Sequence, residues 1–234
     1  MREFEYDINT KDKCWYKSIC DHSKCGNEFC IRHYKMDCLT SMALLEGNQK
    51  YPIQLKLDAD GTDRDAFYKL RDIQNDIKNF VNSGKNILIY SENTGNGKTE
   101  WTKKLLLSWF DSIWPYTDFE CRGLFISMPK FMIAMRENIK EPNDYFKYIN
   151  DNIIKADLVV WDEMNYKDLS QFEHDYLLSV ISQRISIGKS NIFTTNYSLP
   201  IIEQRLGTRL ASRIIGSCIK IEFKGKDKRS WGIK

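Results

Sequence analysis

The 234-residue sequence lacks the features that mark membrane and secreted proteins. It has no run of about 18 apolar residues, which excludes an ordinary membrane-spanning helix, and no membrane partner is expected. Residues 1–7 are charged and lack the apolar stretch of a secretory signal, so a cytoplasmic protein is expected. With 42% hydrophobic and 29% charged residues, the composition also excludes a disordered tail and a fibre. The formal net charge of +3 is too small to indicate nucleic-acid binding by itself.

Cysteine is scarce over most of the chain and concentrated near its beginning. Of the seven cysteines, only Cys121 and Cys218 lie beyond residue 38; the others are Cys14, Cys20, Cys25, Cys30 and Cys38. Because disulfides rarely persist in the cytosol, a cluster of this kind indicates a metal site rather than a disulfide framework.

Four thiolates of this cluster predict a structural, tetrahedral zinc site, formed by Cys14, Cys20, Cys25 and Cys30. His22, His33 or Cys38 is near enough in sequence to replace one of these ligands. The alternative interpretation is a set of small buried hydrophobic side chains. A polar segment this short needs a metal or a similar cross-link to fold. We therefore expect a zinc-binding domain over residues 1–45.

The rest of the chain alternates between short apolar runs and helical patterns. Residues 39–45 predict a short helix, the glycine, proline and aspartate residues in 46–61 indicate a linker, and a helix is expected from Thr62 to about residue 82. The predicted strands are 86–90, 123–128, 156–161, 191–195 and 219–223. The helices predicted between and after them are 98–109, 129–139, 172–187, 200–206 and 209–215. This alternation predicts a parallel sheet covered on both faces, a three-layer α/β domain over residues 62–234.

The strand at 86–90 runs into a glycine-containing loop that ends in Gly97-Lys98-Thr99, and a helix follows at once. This context predicts a P-loop, in which Lys98 reaches the β- and γ-phosphates of ATP and the Thr99 hydroxyl binds Mg²⁺. The other predicted nucleotide contacts are Asn93, Thr94, Gly95, Asn96, Gly97 and Glu100. The usual pattern has a glycine five residues before Gly97, where this chain has Glu92.

Two further strands end in polar groups. One predicted strand ends in the carboxylate pair Asp162 and Glu163. In a P-loop protein the aspartate of such a pair binds Mg²⁺ and nucleotide, and the glutamate polarises the attacking water. Glu163 therefore distinguishes a hydrolase from a nucleotide binder. Asn196 follows the next strand and is expected to hold the attacking water or a γ-phosphate oxygen; the alternative is that it opens a turn.

Arg209 and Arg213 lie four residues apart on one face of a predicted helix. An arginine can stabilise the charge of a phosphoryl transition state from a neighbouring subunit, and Arg209 is the first candidate for this role. The alternative is a solvated basic face.

In this order the motifs are those of an AAA+ ATPase, and the chain resembles phage and bacterial helicase loaders of the DnaC/DnaI type. The segments that carry the resemblance are 29–36, 172–178, 192–196, 209–214 and 224–229. The resemblance covers nearly the whole chain. It implies a P-loop AAA+ core with no separate lid domain, preceded by the small zinc-binding domain.

The resemblance also implies a role in DNA replication. Such proteins hydrolyse ATP, self-associate through the AAA+ domain, bind the replicative hexameric helicase through the N-terminal domain and place it on single-stranded DNA, here in a bacterial host cell. By similarity, the functional residues are Lys98 and Thr99 in the P-loop, Asp162 and Glu163 as the Walker B pair, Asn196 as sensor 1 and Arg209 as the arginine finger. Many AAA+ proteins have a nucleotide-sensing arginine on the lid domain, and in a chain with no separate lid domain Arg213 is expected to perform part of that role.

DNA contacts are suggested by two basic segments, residues 220–234 and the predicted helix with Lys130 and Arg136. The alternative for both is a solvated surface. Two other functions stay open: a transposition helper ATPase of the IstB kind, against which the cysteine cluster argues, and a zinc adaptor that uses ATP only as a structural ligand.

Overall fold

The computed structural model describes residues 30–45, 53, 55, 57, 61–165 and 169–228. Of the predicted zinc ligands, Cys14, Cys20 and Cys25 therefore lie outside the described residues, and only Cys30 is inside them. In this described part, no group of three or more His, Cys, Asp or Glu side chains is placed to hold a metal ion. The zinc site stays a prediction that depends on residues 1–29.

Five parallel strands form one sheet in the order β2-β3-β4-β1-β5. The strands are β1 Asn86–Tyr90, β2 Gly123–Ser127, β3 Leu158–Asp162, β4 Ser190–Thr195 and β5 Cys218–Glu222. The helices are α1 Ile31–Met42, α2 Arg64–Asn75, α3 Ile77–Asn82, α4 Lys98–Ile113, α5 Met128–Glu137, α6 Asp144–Asn152, α7 Gln171–Ser186, α8 Leu199–Leu206 and α9 Thr208–Ser217. No helix in the described ranges is long and apolar enough to cross a membrane.

The two faces of the sheet are covered by different helices. Successive side chains of each strand point to opposite faces, so neighbouring strand residues pack against different sets of helices. Ile87 and Ile89 of β1 pack among residues of α1 to α4, whereas Leu88 packs among residues of α5 to α9. All five residues of β3 and all six of β4 are buried. This arrangement confirms the predicted three-layer α/β fold with a parallel sheet.

The predicted helix at 39–45 is wrong in extent, since α1 begins at Ile31 and ends at Met42. Met36 and Leu39 are buried in the same core as the helix α4, and the Phe125 backbone N–H of β2 donates to the Ala43 carbonyl at 2.8 Å. Residues 30–45 thus pack directly on the α/β core. Met36, Leu39 and Ala43, which are buried in this core, recur at intervals of three and four residues, the spacing of one helix face.

Two other differences concern helices. The helix expected from Thr62 to residue 82 breaks at Asp76, where α2 ends and α3 begins. Helix α6 was not predicted, although its N-cap Asn143 accepts a hydrogen bond from the Phe146 N–H at 2.9 Å and Ile149 is buried. Elsewhere the predicted strand and helix boundaries fall within two residues of the observed ones, except that α4 continues to Ile113. Among residues 223–228, no helix follows β5.

Candidate functional site

A cavity of about 830 Å³ opens at the carboxyl ends of β1, β3 and β4. We call it the P-loop cavity, because the loop between β1 and α4 forms one of its walls. Ten of the predicted site residues line it: Thr94, Gly95, Asn96, Gly97, Lys98, Thr99, Glu100, Asp162, Glu163 and Asn196. Parallel strands end at the same edge of a sheet, which is why motifs far apart in sequence meet here.

Glycines shape the P-loop where side chains would be strained. Gly95 and Gly97 have φ angles of +68° and +97°, in the left-handed region that favours glycine. Gly97 directly precedes Lys98, the first residue of α4, so the backbone N–H groups of the helix terminus are available to an anion. Glu92, which replaces the usual first glycine, is exposed and does not line the cavity. Its carboxylate therefore does not oppose phosphate binding from within the cavity.

The loop is held by a hydrogen-bond network that the sequence reading did not detect. The Ser91 hydroxyl accepts from the Asn93 backbone N–H at 3.0 Å and from the Asn96 side chain at 2.7 Å. Lys98 is buried, and its ammonium donates to the Asn93 carbonyl at 2.8 Å and to Asn96 Oδ1 at 3.1 Å. The Asn93 side chain does not line the cavity and instead donates to the carbonyls of Lys224 and Gly225 at 3.0 and 3.2 Å. Asn93 and Asn96 therefore shape the loop and hold its lysine.

A hydroxyl and a carboxylate meet across the cavity. Thr99 Oγ1 lies 3.1 Å from both carboxylate oxygens of Asp162, and Thr194 Oγ1 donates to Asp162 Oδ1 at 2.7 Å. Burial raises the pKa of Asp162, while the hydrogen bonds from Thr194 and Thr99 oppose that rise. Hydroxyl and carboxylate oxygens are the ligands that Mg²⁺ prefers, so this pair fits the predicted metal.

Glu163 adopts an unusual backbone conformation at the end of β3. Its φ of +62° is in the left-handed region, which is uncommon for a residue other than glycine and often occurs at functional sites. Its backbone N–H donates to Thr194 Oγ1 at 2.8 Å, and its side chain is exposed at the cavity wall. The conformation thus separates two neighbouring carboxylates: Asp162 is buried beside Thr99, and Glu163 is accessible to solvent.

Asn165 is a site residue that the sequence analysis missed. Its Oδ1 accepts hydrogen bonds from the Asn196 backbone N–H at 2.6 Å and from Thr195 Oγ1 at 3.0 Å. The Tyr197 hydroxyl donates to its backbone carbonyl at 2.8 Å. Asn165 therefore fixes the end of β4, and with it Asn196, relative to the loop after Glu163. The only sequence signal for this role is the position of Asn165, whose short amide side chain lies two residues after the carboxylate pair.

Arg209 and Arg213 lie elsewhere, in a second cavity of about 650 Å³ that we call the arginine cavity. It shares no lining residue with the P-loop cavity. Both arginines are exposed on α9, and Asp175 of α7 lines the same cavity. Hydrogen bonds from Gln171 and His174 lower the pKa of Asp175, and the positive charge of Arg209 contributes to the shift. Neither arginine therefore lines the P-loop cavity of its own chain.

Three lysines line the P-loop cavity without having been predicted there, namely Lys103, Lys130 and Lys228. Of these, the sequence pointed to Lys130 and Lys228 as DNA contacts. The Lys130 ammonium lies 4.5 Å from the centroid of the Tyr145 ring, a cation–π arrangement that holds it at the wall. The cavity therefore combines an oxygen-rich floor with several ammonium groups, as a site for a polyanion with a divalent cation requires.

Comparisons with known proteins agree with this architecture. A family model described as IstB-like ATP binding protein matches residues 121–231, which include Asp162, Asn196 and Arg209 but not the P-loop. No curated protein matches the chain. A crystal structure of the DnaC helicase loader is 18% identical with a TM-score of 0.59, covering 74% of this chain and 95% of that one.

Two more solved structures are similar. A crystal structure of DnaI is 16% identical with a TM-score of 0.56, covering 76% of this chain and 92% of that one. The replication initiator DnaA bound to AMPPCP and single-stranded DNA is 19% identical with a TM-score of 0.57, covering 77% of this chain and 52% of that one. The described part of this chain therefore has the fold of these DnaC, DnaI and DnaA structures.

Proposed function

We propose that this protein is an ATP-hydrolysing helicase loader, which binds the replicative hexameric DNA helicase and delivers it onto single-stranded DNA. The observation that carries the ATPase part is the P-loop cavity, which brings Lys98 and Thr99 together with Asp162, Glu163 and Asn196. A P-loop alone supports nucleotide binding. The accessible Glu163 beside the buried Asp162 adds the base that hydrolysis requires.

The cavity residues divide the chemistry among them. ATP fits the P-loop through the N–H groups at the start of α4 and the Lys98 ammonium, and bound Mg²⁺ supplies charge neutralisation at the phosphate oxygens. Thr99 and Asp162 would hold the cation. Glu163 accepts the proton of the water that attacks the γ-phosphorus, and Asn196 orients that water; the products are ADP and phosphate.

Self-association through the AAA+ domain is part of the proposal, because none of the arginines that the structure describes lines the P-loop cavity. Arg209 is exposed in the arginine cavity, which shares no residue with the P-loop cavity. An arginine finger there acts on the nucleotide of a neighbouring subunit. The exposure of Arg213 on the same face supports a role at that subunit contact rather than at the nucleotide of its own chain.

The helicase and DNA parts rest on similarity. Solved structures with the same fold are described as the DnaC helicase loader, as DnaI and as DnaA bound to single-stranded DNA. We propose that the N-terminal segment, stabilised by zinc bound to Cys14, Cys20, Cys25 and Cys30, contacts the helicase. Metal analysis tests the ligand set: C20S and C25S should lose zinc, and full metal retention would contradict it.

A second candidate is a transposition helper ATPase, which the match to the IstB-like family model favours. The two functions share the ATPase core and differ in partner. A loader retains a hexameric replicative helicase, whereas a transposition helper retains a transposase. Identification of the partner therefore separates them without any change in the ATPase mechanism.

One experiment tests both levels of the proposal. The full chain, K98A and E163Q are purified and assayed for ATP hydrolysis and for co-purification with the host's replicative helicase, with and without ATP. We expect both variants to lose hydrolysis. E163Q should still bind ATP, because Lys98 and Thr99 remain.

The matched control is K104A, which changes a lysine on the same helix whose ammonium donates to the Ile53 carbonyl at 2.9 Å instead of lining the cavity. It should keep normal hydrolysis. Sustained turnover by K98A and E163Q would contradict the ATPase mechanism, and the absence of any helicase complex in either condition would contradict the loader function.

A further inference from the structure

The chain crosses back over the P-loop after the last strand. The Phe223 backbone N–H donates to the Tyr90 carbonyl at the end of β1 at 2.9 Å. Five residues later, the Lys228 backbone N–H donates to the Gly95 carbonyl at 2.9 Å. Residues 224–228, which we call the C-terminal segment, therefore run along the loop that forms the wall of the P-loop cavity.

The C-terminal segment is fixed from both sides. The Asn93 side chain of the P-loop donates to the carbonyls of Lys224 and Gly225. On the other side, the buried carboxylate of Asp63, just before α2, accepts the backbone N–H groups of Lys224 at 2.7 Å and of Gly225 at 3.0 Å. A segment that is anchored by five backbone groups has a defined position relative to the loop, unlike a solvated tail.

Its charged side chains differ in their surroundings. Lys224 and Lys226 are exposed, whereas Lys228 is half-buried and lines the P-loop cavity. The Asp227 carboxylate lies directly against Gly95, and a Cβ at position 95 would overlap its Oδ1 and Cγ atoms. The segment thus presents one positive and one negative group to the same loop.

We propose that the C-terminal segment is part of the nucleotide site of its own chain, with Lys228 as a phosphate-binding residue and Asp227 as a residue that weakens nucleotide binding. This inference rests on the proposed function, because it assumes that the P-loop cavity binds ATP. An ammonium at the cavity wall attracts a polyphosphate, and a carboxylate against the loop repels it. Gly95 is required for the arrangement, since any side chain there would displace Asp227.

Contact with DNA is the competing explanation for Lys228, because it lies in the basic segment that the sequence suggested for DNA. A DNA contact would require an ammonium directed to solvent, as at Lys226. The position of Lys228 at the wall of the P-loop cavity favours the nucleotide instead. Lys226 is therefore the matched control: it has the same side chain in the same segment, but it does not line the cavity.

The test measures equilibrium binding of a fluorescent ATP analogue, and separately of a labelled oligo(dT) strand, by the full chain and its variants. K228A should bind the ATP analogue about 10-fold or more weakly, as expected for loss of a hydrogen bond to a charged group, and K226A should bind within about twofold of the parent chain. D227N should bind about two- to fivefold more tightly, because it removes a screened negative charge. K228R should restore most of the affinity.

Each other outcome has a distinct meaning. Equal ATP-analogue affinity of K228A and the parent chain would overturn the inference and leave the proposed function intact. Weaker oligo(dT) binding by K228A with unchanged nucleotide binding would overturn it in favour of DNA. No nucleotide binding by the parent chain would overturn the proposed function and this inference together. Thermal unfolding without nucleotide should be the same for K228A and K228R, which separates a lost contact from a folding defect.

Discussion

The hydroxyl of Thr194 joins two strands of the site by donating to the Asp162 carboxylate at 2.7 Å. The same hydroxyl accepts the backbone N–H of Glu163 at 2.8 Å. A single side chain on β4 thus orients the buried carboxylate and stabilises the left-handed conformation of the residue that follows it. Thr194 is therefore a positioning residue, because its hydroxyl group contacts both carboxylate residues. A methyl group in place of the hydroxyl can form neither hydrogen bond, so a substitution at this position tests the role of Thr194 separately from that of the P-loop.

T194V should lower the rate constant of ATP hydrolysis by about 10- to 100-fold, the usual cost of removing a group that orients a metal-binding or catalytic side chain. Binding of the ATP analogue should change little, because Lys98 and the P-loop are untouched. T194S retains the hydroxyl and should keep most of the activity. Steady-state kinetics of both variants check this, and equal loss of activity in T194S and T194V would refute the hydrogen-bonding role.

Most of the fold could be predicted from the sequence because the two strands β3 and β4 are buried on both faces and the elements around them have recognisable local patterns. β3 begins with four apolar residues and ends at Asp162, and β4 has the apolar pair Ile192 and Phe193 between polar residues, which are local signals. In the helices between the strands, apolar residues recur every three or four positions, or the helix begins at a recognisable N-cap residue. The chemistry of Lys98 and Asp162 is likewise carried by short motifs, and the parallel topology then brings them together.

The parts that could not be predicted depend on contacts between distant residues. Asn93 looks like a nucleotide contact in the motif, but its side chain bonds the carbonyl of Lys224, 131 positions away. Lys228 belongs to a run of charges that by sequence is indistinguishable from a solvated tail. Its position at the cavity wall follows only from the pairing of β5 with β1 and from the Asp63 anchor.

Mixing two inactive variants tests whether Arg209 acts across a subunit contact. R209A retains an intact P-loop but lacks the finger, and K98A lacks the P-loop lysine but retains Arg209. If the finger acts from a neighbouring subunit, a mixture of the two should recover hydrolysis, because some contacts pair the intact loop of one with the intact arginine of the other. The recovered rate should exceed the sum of the separate proteins' rates.

A control mixture of K98A with a second P-loop variant, T99A, should show no recovery, because no subunit in it has an intact P-loop. Absence of recovery in the R209A and K98A mixture, although R209A alone is inactive and both proteins are folded, would contradict action from a neighbouring subunit. Full activity of R209A alone would remove Arg209 from the mechanism.

Glu173 should make stability depend on pH at acidic values. Burial alone would raise the pKa of this carboxyl, but hydrogen bonds from Arg136, at 2.7 Å, and from Ser170 outweigh it and lower the pKa. Ser170 and Glu173 also form the capping box that begins α7. A lowered pKa in the folded state stabilises the protein above the unfolded value of about 4.3, and this stabilisation is lost as pH falls through the folded pKa.

E173Q should therefore lower the free energy of unfolding by about 1–2 kcal/mol at pH 7, and the difference from the parent chain should shrink below about pH 4. Urea denaturation at several pH values measures both effects. E203Q, at an exposed position on α8, should stay within about 0.5 kcal/mol of the parent chain throughout. If the difference in the free energy of unfolding between E173Q and the parent chain does not change with pH, the negative charge of Glu173 is not what stabilises the start of α7.

Arg184 is a buried charge at the opposite end of the sheet from the P-loop cavity. It is 0% exposed, and its guanidinium donates to the carbonyls of Ile153, Ala156 and Ser190 and, at 2.7 Å, to Asn191 Oδ1. Burial lowers the pKa of its guanidinium to about 9. The side chain satisfies acceptors from the loop between α6 and β3 and from β4, so its removal would leave several buried oxygens without donors.

R184M, which keeps most of the side-chain volume but no donor, should lower the free energy of unfolding by about 3–5 kcal/mol, because several buried oxygens each lose a donor at a cost of about 1–3 kcal/mol. R184K should recover only part of this loss, because a single ammonium cannot reach four acceptors as the planar guanidinium does. R213A, which changes an exposed arginine on α9, should stay within about 0.5 kcal/mol of the parent chain. Urea denaturation of the three variants measures these differences, and a loss for R184M as small as that for R213A would show that water replaces the missing donors.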